Sequence, residues 1–132
     1  MKRRVDDIGF GGLKLVQDED AFCYGTDAVL LANTACRELQ ITEDMRVCDL
    51  GTNTAVIPLI MSARCSAKEF VGVEVQEQAF ELAQENLKLN SLMDRLKLVL
   101  ANVKDIKGME SQVLGAESFD VVTTNPPYME SG

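Results

Sequence analysis

The stretch that decides the fold is Arg46-Val47-Cys48-Asp49-Leu50-Gly51-Thr52-Asn53-Thr54-Ala55-Val56-Ile57. Residues 46–50 form a short apolar run that stops at a glycine, which reads as a buried strand. Thr54 then stands where a helix cap is wanted, ahead of Ile57, Leu59, Ile60, Met61 and Ala63. Pro58 falls in the first turn of that helix, where its missing N–H costs nothing. A buried strand, a glycine turn and an apolar helix make the first half of a βαβ unit.

The pattern repeats downstream. Residues 70–74, Phe-Val-Gly-Val-Glu, read as a second strand, and residues 76–89 as a helix whose inward face is Ala79, Leu82, Ala83 and Leu87. Residues 96–100 and 118–124 read as third and fourth strands. Upstream, a helix starting at Thr26 or Asp27, either of which can cap it, carries a wide apolar stripe through Ala28, Val29, Leu30, Leu31, Ala32, Ala35, Cys36 and Leu39. Residues 1–25 are glycine-rich and predict a short hairpin or strand pair, with Asp18-Glu19-Asp20 as a solvated turn, ahead of a main domain over 26–132. Strands alternating with helices predict an α/β fold with a parallel sheet and helices on both faces.

Composition narrows the function. At 132 residues, 46% apolar and 26% charged, the chain can bury a core without metal or disulfide staples. No apolar run approaches the roughly 20 residues that span a bilayer, and the charged start lacks a signal's hydrophobic region. A soluble cytoplasmic protein without membrane association is expected. Histidine is absent and the four cysteines have no CxxC spacing. That removes the common zinc ligand sets and every His-activated nucleophile; no metal site is expected. Cys23, Cys36, Cys48 and Cys65 read as small buried apolar side chains. The net charge is −8, and the one basic cluster, Lys2-Arg3-Arg4, reads as a solvated terminus.

The chemistry-bearing residues lie at strand ends, where open parallel sheets bind ligands. Gly51 lets a ligand approach the backbone, beside a helix N-terminus. Glu74 ends the next strand, 23 residues after Gly51, the arrangement that holds ribose hydroxyls in nucleotide sites. Asn102 follows the third strand, where an amide can meet an adenine edge or simply make a turn. Asn125-Pro126-Pro127-Tyr128 ends the fourth, and its prolines fix the backbone. It offers an amide oxygen, a carbonyl and an aromatic ring together. A planar amino group is a poor nucleophile because its lone pair is delocalised. Two acceptors on its hydrogens favour a pyramidal nitrogen, and Tyr128 can stack on the ring that carries it.

The order Asp49-x-Gly51, Glu74, Asn125-Pro126-Pro127-Tyr128 resembles the Rossmann-like S-adenosylmethionine-dependent methyltransferases that act on amino nitrogens. Gly11-Gly12-Leu13, Phe22-Cys23-Tyr24-Gly25-Thr26-Asp27-Ala28 and Leu30-Leu31-Ala32 are similar to the bacterial tRNA (adenine) methyltransferases, which modify the 6-amino group of adenine 37 in a valine tRNA. The resemblance implies S-adenosylmethionine as cofactor, bound by Tyr24, Thr26, Asp49, Gly51, Asn53, Glu74 and Asn102. It implies Asn125, Pro126, Pro127 and Tyr128 as the catalytic, amine-orienting group. It implies a tRNA anticodon loop as partner, met partly by Lys2, Arg3 and Arg4. Asn53 and Ala55 stand where relatives carry glycines, which predicts weaker cofactor binding. The resemblance reaches the family fold through its fourth strand only, which implies an exposed strand edge open to dimerisation. Two other functions fit the motif: a cofactor-binding fragment without turnover, and a glutamine methyltransferase of the release-factor type.

Overall fold

The computed structural model describes residues 2–9, 11–21, 23–102 and 119–125. Among these residues, six strands and three helices run in the order β1 (Arg3–Asp7), β2 (Lys14–Asp18), α1 (Thr26–Glu38), β3 (Arg46–Leu50), α2 (Val56–Arg64), β4 (Glu69–Glu74), α3 (Glu77–Leu89), β5 (Leu96–Leu100) and β6 (Val121–Thr124). β1 and β2 form an antiparallel hairpin, with Val5 opposite Val16. The other four strands form a parallel sheet in the order β5-β4-β3-β6. The chain moves outward from β3 through β4 to β5, then returns to pair β6 on the other side of β3. That reversal makes the C-terminal ends of β3 and β6 the topological switch point.

Alternation along the strands sorts side chains to two faces. Val47, Phe70, Leu96 and Val121 join the main core with Ala28, Ala32, Ala35, Leu59, Ile60, Met61, Ala83 and Leu87. All three described helices therefore lie on this face; the other, lined by Cys48, Val71, Val73 and Val99, has no helix among the described residues. Gly72 faces Thr52: a Cβ there would come within 2.8 Å of the Thr52 side chain, so only glycine lets the β3–α2 turn sit over β4.

Several local expectations change. Neither Thr26 nor Asp27 caps α1; the N-cap is Gly25, and no side chain bonds there. Thr54 does not cap α2. Ala55 takes that position in the left-handed region, and the Thr54 carbonyl is held elsewhere. The apolar stripe of α1 is narrower than its composition suggests: alanines 28, 32 and 35 are buried, while Leu30 and Leu39 face out. Small residues at that spacing let α1 approach α2 closely. Asp18 is no solvated turn residue. It ends β2, buried, accepting the Lys2 and Asp20 N–H groups and the Gln78 amide. Of the cysteines, Cys48 alone is buried; Cys23, Cys36 and Cys65 are half-exposed free thiols. β6 begins at Val121; Asp120 before it bonds the Arg46 backbone at both its N–H and its carboxylate. Ser118 lies outside the described residues.

Candidate active site

At the switch point Asp49 of β3 lies opposite Thr123 of β6. The Thr123 hydroxyl donates to Asp49 Oδ1 at 2.7 Å, while Asp49 Oδ2 and Thr52 Oγ1 are buried without a hydrogen-bond partner. Asp49 is almost wholly enclosed. Burial pushes its carboxyl up to about 6; the Thr123 hydroxyl and the Thr52 hydroxyl close by pull it back, and the Glu74 carboxylate adds to the rise.

The turn after β3 alternates. Gly51, Asn53 and Ala55 have φ of 68°, 55° and 73°, all left-handed. The two non-glycines thus hold glycine-like backbone, which carries strain that asparagine tolerates better than alanine. Backbone bonds from Thr52 N–H to the Val73 carbonyl and from Ala55 N–H to the Thr52 carbonyl secure the turn. A Cβ built on Gly51 would meet nothing within 4 Å, so this backbone faces open space.

Glu74 ends β4, buried, and closes the same corner. Its Oε1 accepts the Asn53 N–H at 2.7 Å, and its Oε2 accepts the Val75 and Gln76 N–H groups at 3.1 and 3.0 Å. An ionised carboxylate has about four acceptor positions, so one stays available. The hairpin supports another part of the cleft's wall from behind. Buried Gln17 accepts the Tyr24 N–H through its Oε1 and donates to Asp6, which sets the loop before α1.

These elements surround a cleft of about 480 Å³ whose lining includes Tyr24, Gly51, Asn53, Glu74, Val75 and Asn125. Of the residues expected from sequence, those five other than Val75 meet in it. Asp49 lies beneath the turn and is not part of the lining. Thr26 and Asn102 are exposed and do not line it either. Pro126, Pro127 and Tyr128 lie outside the described residues. Lys2, Arg3 and Arg4 are engaged with Glu19, Glu85 and Asp6, so each cation of the N-terminal cluster sits against an acid.

Sequence reasoning missed the buried polar residues that hold the cleft: Gln17, Asp18, Thr52, Asn86 and Thr123. Asn86 carries a signal. It falls between Ala83 and Leu87 on the apolar face of α3, where a polar residue requires partners.

Adenosyl-type cofactors fit this lining on two observations. Glu74 keeps a carboxylate acceptor toward the cleft for ribose hydroxyls, and the Gly51 backbone is open where a bulky group must pass. Val75 and Ile57 add apolar surface for a base.

Residues 13–132 match the family described as Methyltransferase small domain. The chain is 33% identical over 121 residues to a tRNA1(Val) (adenine(37)-N6)-methyltransferase of Phocaeicola vulgatus, covering 92% of this chain and 47% of that protein. It is 29% identical over 131 residues to a release factor glutamine methyltransferase of Deinococcus radiodurans, covering 98% and 43%. The chain spans about half the length of the curated relatives it matches. Among solved structures, a human methyltransferase 10 domain containing protein superposes with a TM-score of 0.73 at 20% identity, covering 89% of this chain and 55% of that one. A SAM-dependent methyltransferase from Agrobacterium tumefaciens gives 0.72 at 18%, covering 96% and 40%. These two support the Rossmann-like parallel-sheet fold. The chain belongs to the Methyltransferase small domain family.

Proposed function

We propose that this chain forms the cofactor-binding half of an S-adenosylmethionine-dependent methyltransferase that modifies the 6-amino group of adenine in tRNA. The observation that carries the reading is the cleft at the β3–β6 switch point, with Glu74 on one side and Asn125 on the other. When bound there, the cofactor supplies an electrophilic methyl carbon. Glu74 would hold a ribose hydroxyl with its one remaining acceptor position, and the Gly51–Asn53 backbone would border the amino-acid end. Asn125 and the Pro126 carbonyl accept the two hydrogens of the amino group and orient its lone pair. Tyr128 stacks on the ring of a base displaced from a loop, where unstacking is cheap. The proton leaves a cationic product, so no general base is needed before attack. We place this chemistry in the cytoplasm; no described helix is long and apolar enough to cross a membrane.

The relatives named above support the substrate class, and one of them favours a second reading. The glutamine methyltransferase matches along nearly the whole chain, and a glutamine amide is also a planar amino group. Transfer of labelled methyl from S-adenosylmethionine to bulk tRNA, compared with transfer to a release factor, separates the two. Label in tRNA supports the main reading; label in the release factor alone replaces it. β6 is one of the two outer strands of the sheet among the described residues, with Val122 exposed. We further propose that two copies pair along it, since an open strand edge is a pairing template. A clean monomer by light scattering at high concentration refutes that pairing.

A further inference from the structure

The side of β2 away from β1 is paired by a helix. The Val16 N–H donates to Asn86 Oδ1 at 2.6 Å, and Asn86 Nδ2 donates back to the Val16 carbonyl at 3.1 Å. One turn later, the Lys14 N–H donates to Asn90 Oδ1 at 2.9 Å, and Asn90 Nδ2 returns a bond to the Lys14 carbonyl at 2.8 Å. Residues i and i+4 of a helix share a face, and residues i and i+2 of a strand point their backbone groups to one side. The two carboxamides therefore mimic a neighbouring strand.

Asn90 Nδ2 makes its second bond within the helix, to the Asn86 carbonyl at 2.7 Å, whereas Asn86 reaches out to another element. Its Nδ2 has a second bond, at 2.9 Å, to the Thr54 carbonyl in the turn beside the cleft. Asn86 is completely buried and every hydrogen-bonding position of its amide is filled except one acceptor lone pair. One side chain thus joins two supports of the cleft. The first is the turn of Gly51 to Ala55, also held by Glu74. The second is β2, which leads through Gln17 to Tyr24.

We propose that Asn86 is a positioning residue for the cofactor cleft: by tying the Thr54 carbonyl to Val16, it sets the turn relative to β2, whose Gln17 holds the Tyr24 loop that lines the cleft together with that turn. The inference rests on the cofactor reading given above. It acts through backbone geometry, since Asn86 is not part of the cleft lining.

The test uses the full chain and three variants. Asn86→Asp keeps the size and the acceptor for Val16 but turns both donors into an oxygen facing two carbonyls. Asn86→Ser is the second route should the aspartate variant fail to fold, because it frees space for water. Asn90→Ala loosens the hairpin without touching the turn. Hydrogen exchange is read at the amides of Val16, Thr52, Asn53 and Ala55, and S-adenosylhomocysteine affinity by calorimetry. In the folded Asn86 variant, protection falls in both segments together and affinity falls at least tenfold. In Asn90→Ala, protection falls at the hairpin only, and affinity stays within threefold. Unchanged exchange at Thr52 to Ala55 in a folded Asn86 variant overturns the proposal; so does an Asn90→Ala variant that loosens the turn equally. Failure of the unmodified chain to bind S-adenosylhomocysteine overturns the cofactor reading instead, and exchange alone then decides the tie.

Discussion

Replacing Asp49 by asparagine should stabilise the fold at neutral pH. The carboxyl titrates at about 6 in the folded chain against a reference value of 3.8. A tenfold change in proton affinity corresponds to about 1.4 kcal/mol, so ionised Asp49 costs the native state about 3 kcal/mol at neutral pH. The sign follows from the proton count. Between about pH 4 and 6 the folded chain binds the proton and the unfolded chain does not, so stability from this group is present at low pH and lost as pH rises. Asp7 and Glu69 run the other way. Their carboxyls are lowered by Lys14, and by Arg46 and Lys97, and their contribution is lost as pH falls. The difference between variant and parent cancels those groups. Asparagine keeps an acceptor for the Thr123 hydroxyl and brings a donor toward the unpartnered Thr52 hydroxyl. Urea unfolding of both proteins from pH 3.5 to 8 should give equal stability at the acid end. The variant's advantage should then rise to about 3 kcal/mol by pH 7. A variant less stable than the parent at pH 7.5, or a gap that does not change with pH, refutes the assignment of a strained buried carboxylate.

Three other perturbations address the cleft directly. Glu74→Gln keeps the shape but loses the charge that three N–H groups share; calorimetry should show S-adenosylhomocysteine binding at least about tenfold weaker, and unchanged affinity removes Glu74 from the site. The Asn53→Gly, Ala55→Gly double variant relieves left-handed strain, about 1–2 kcal/mol at Ala55 and less at Asn53, and clears two side chains from the turn. It should bind the same ligand more tightly, and equal affinity sinks the idea that these two residues weaken the site. Asn125→Ala removes one acceptor for the target amine. Methyl transfer should fall about a hundredfold or more while ligand affinity stays within threefold; a parallel loss of binding assigns Asn125 to the cofactor instead.

The architecture is legible in the sequence because it is written in periodicities. The runs at 46–50, 70–74 and 96–100 lie within a residue of β3, β4 and β5, and the apolar face of α3 follows position by position. Glu69 extends β4 beyond the apolar run because it pairs with Arg46 across the sheet, a contact no single strand reveals. The helix starts mislead for a related reason. Thr26, Asp27 and Thr54 have good capping chemistry, but a cap requires the right backbone as well as the right side chain. At Ala55 the turn imposes a left-handed residue that capping rules do not anticipate. The polar supports are invisible in sequence because asparagine and glutamine look solvent-facing until their partners are known. Asn86 meets residues 70 and 32 positions away in sequence.

Those supports explain where the molecule places its unfavourable features. Within seven residues lie a buried carboxylate, two left-handed non-glycines and a buried hydroxyl without a partner, at Asp49, Asn53, Ala55 and Thr52. A turn this strained relaxes unless its surroundings over-determine it. Here they do, from three directions: Glu74 holds the Asn53 N–H, the Val73 carbonyl holds the Thr52 N–H, and Asn86 holds the Thr54 carbonyl. The outer reaches of the described chain, by contrast, show ordinary surface ion pairs such as Arg37–Glu38 and Lys14–Asp7, worth little to stability. The other two left-handed non-glycines, Gln40 and Ser91, directly follow the C-caps of α1 and α3, where that conformation is ordinary; strain inside the β3–α2 turn, secured by buried polar contacts from elements distant in sequence, points to a shape kept for a ligand. These energetics select the β3–β6 cleft without any use of the motif at residues 125–128, and they converge on the site that the strand order alone selects.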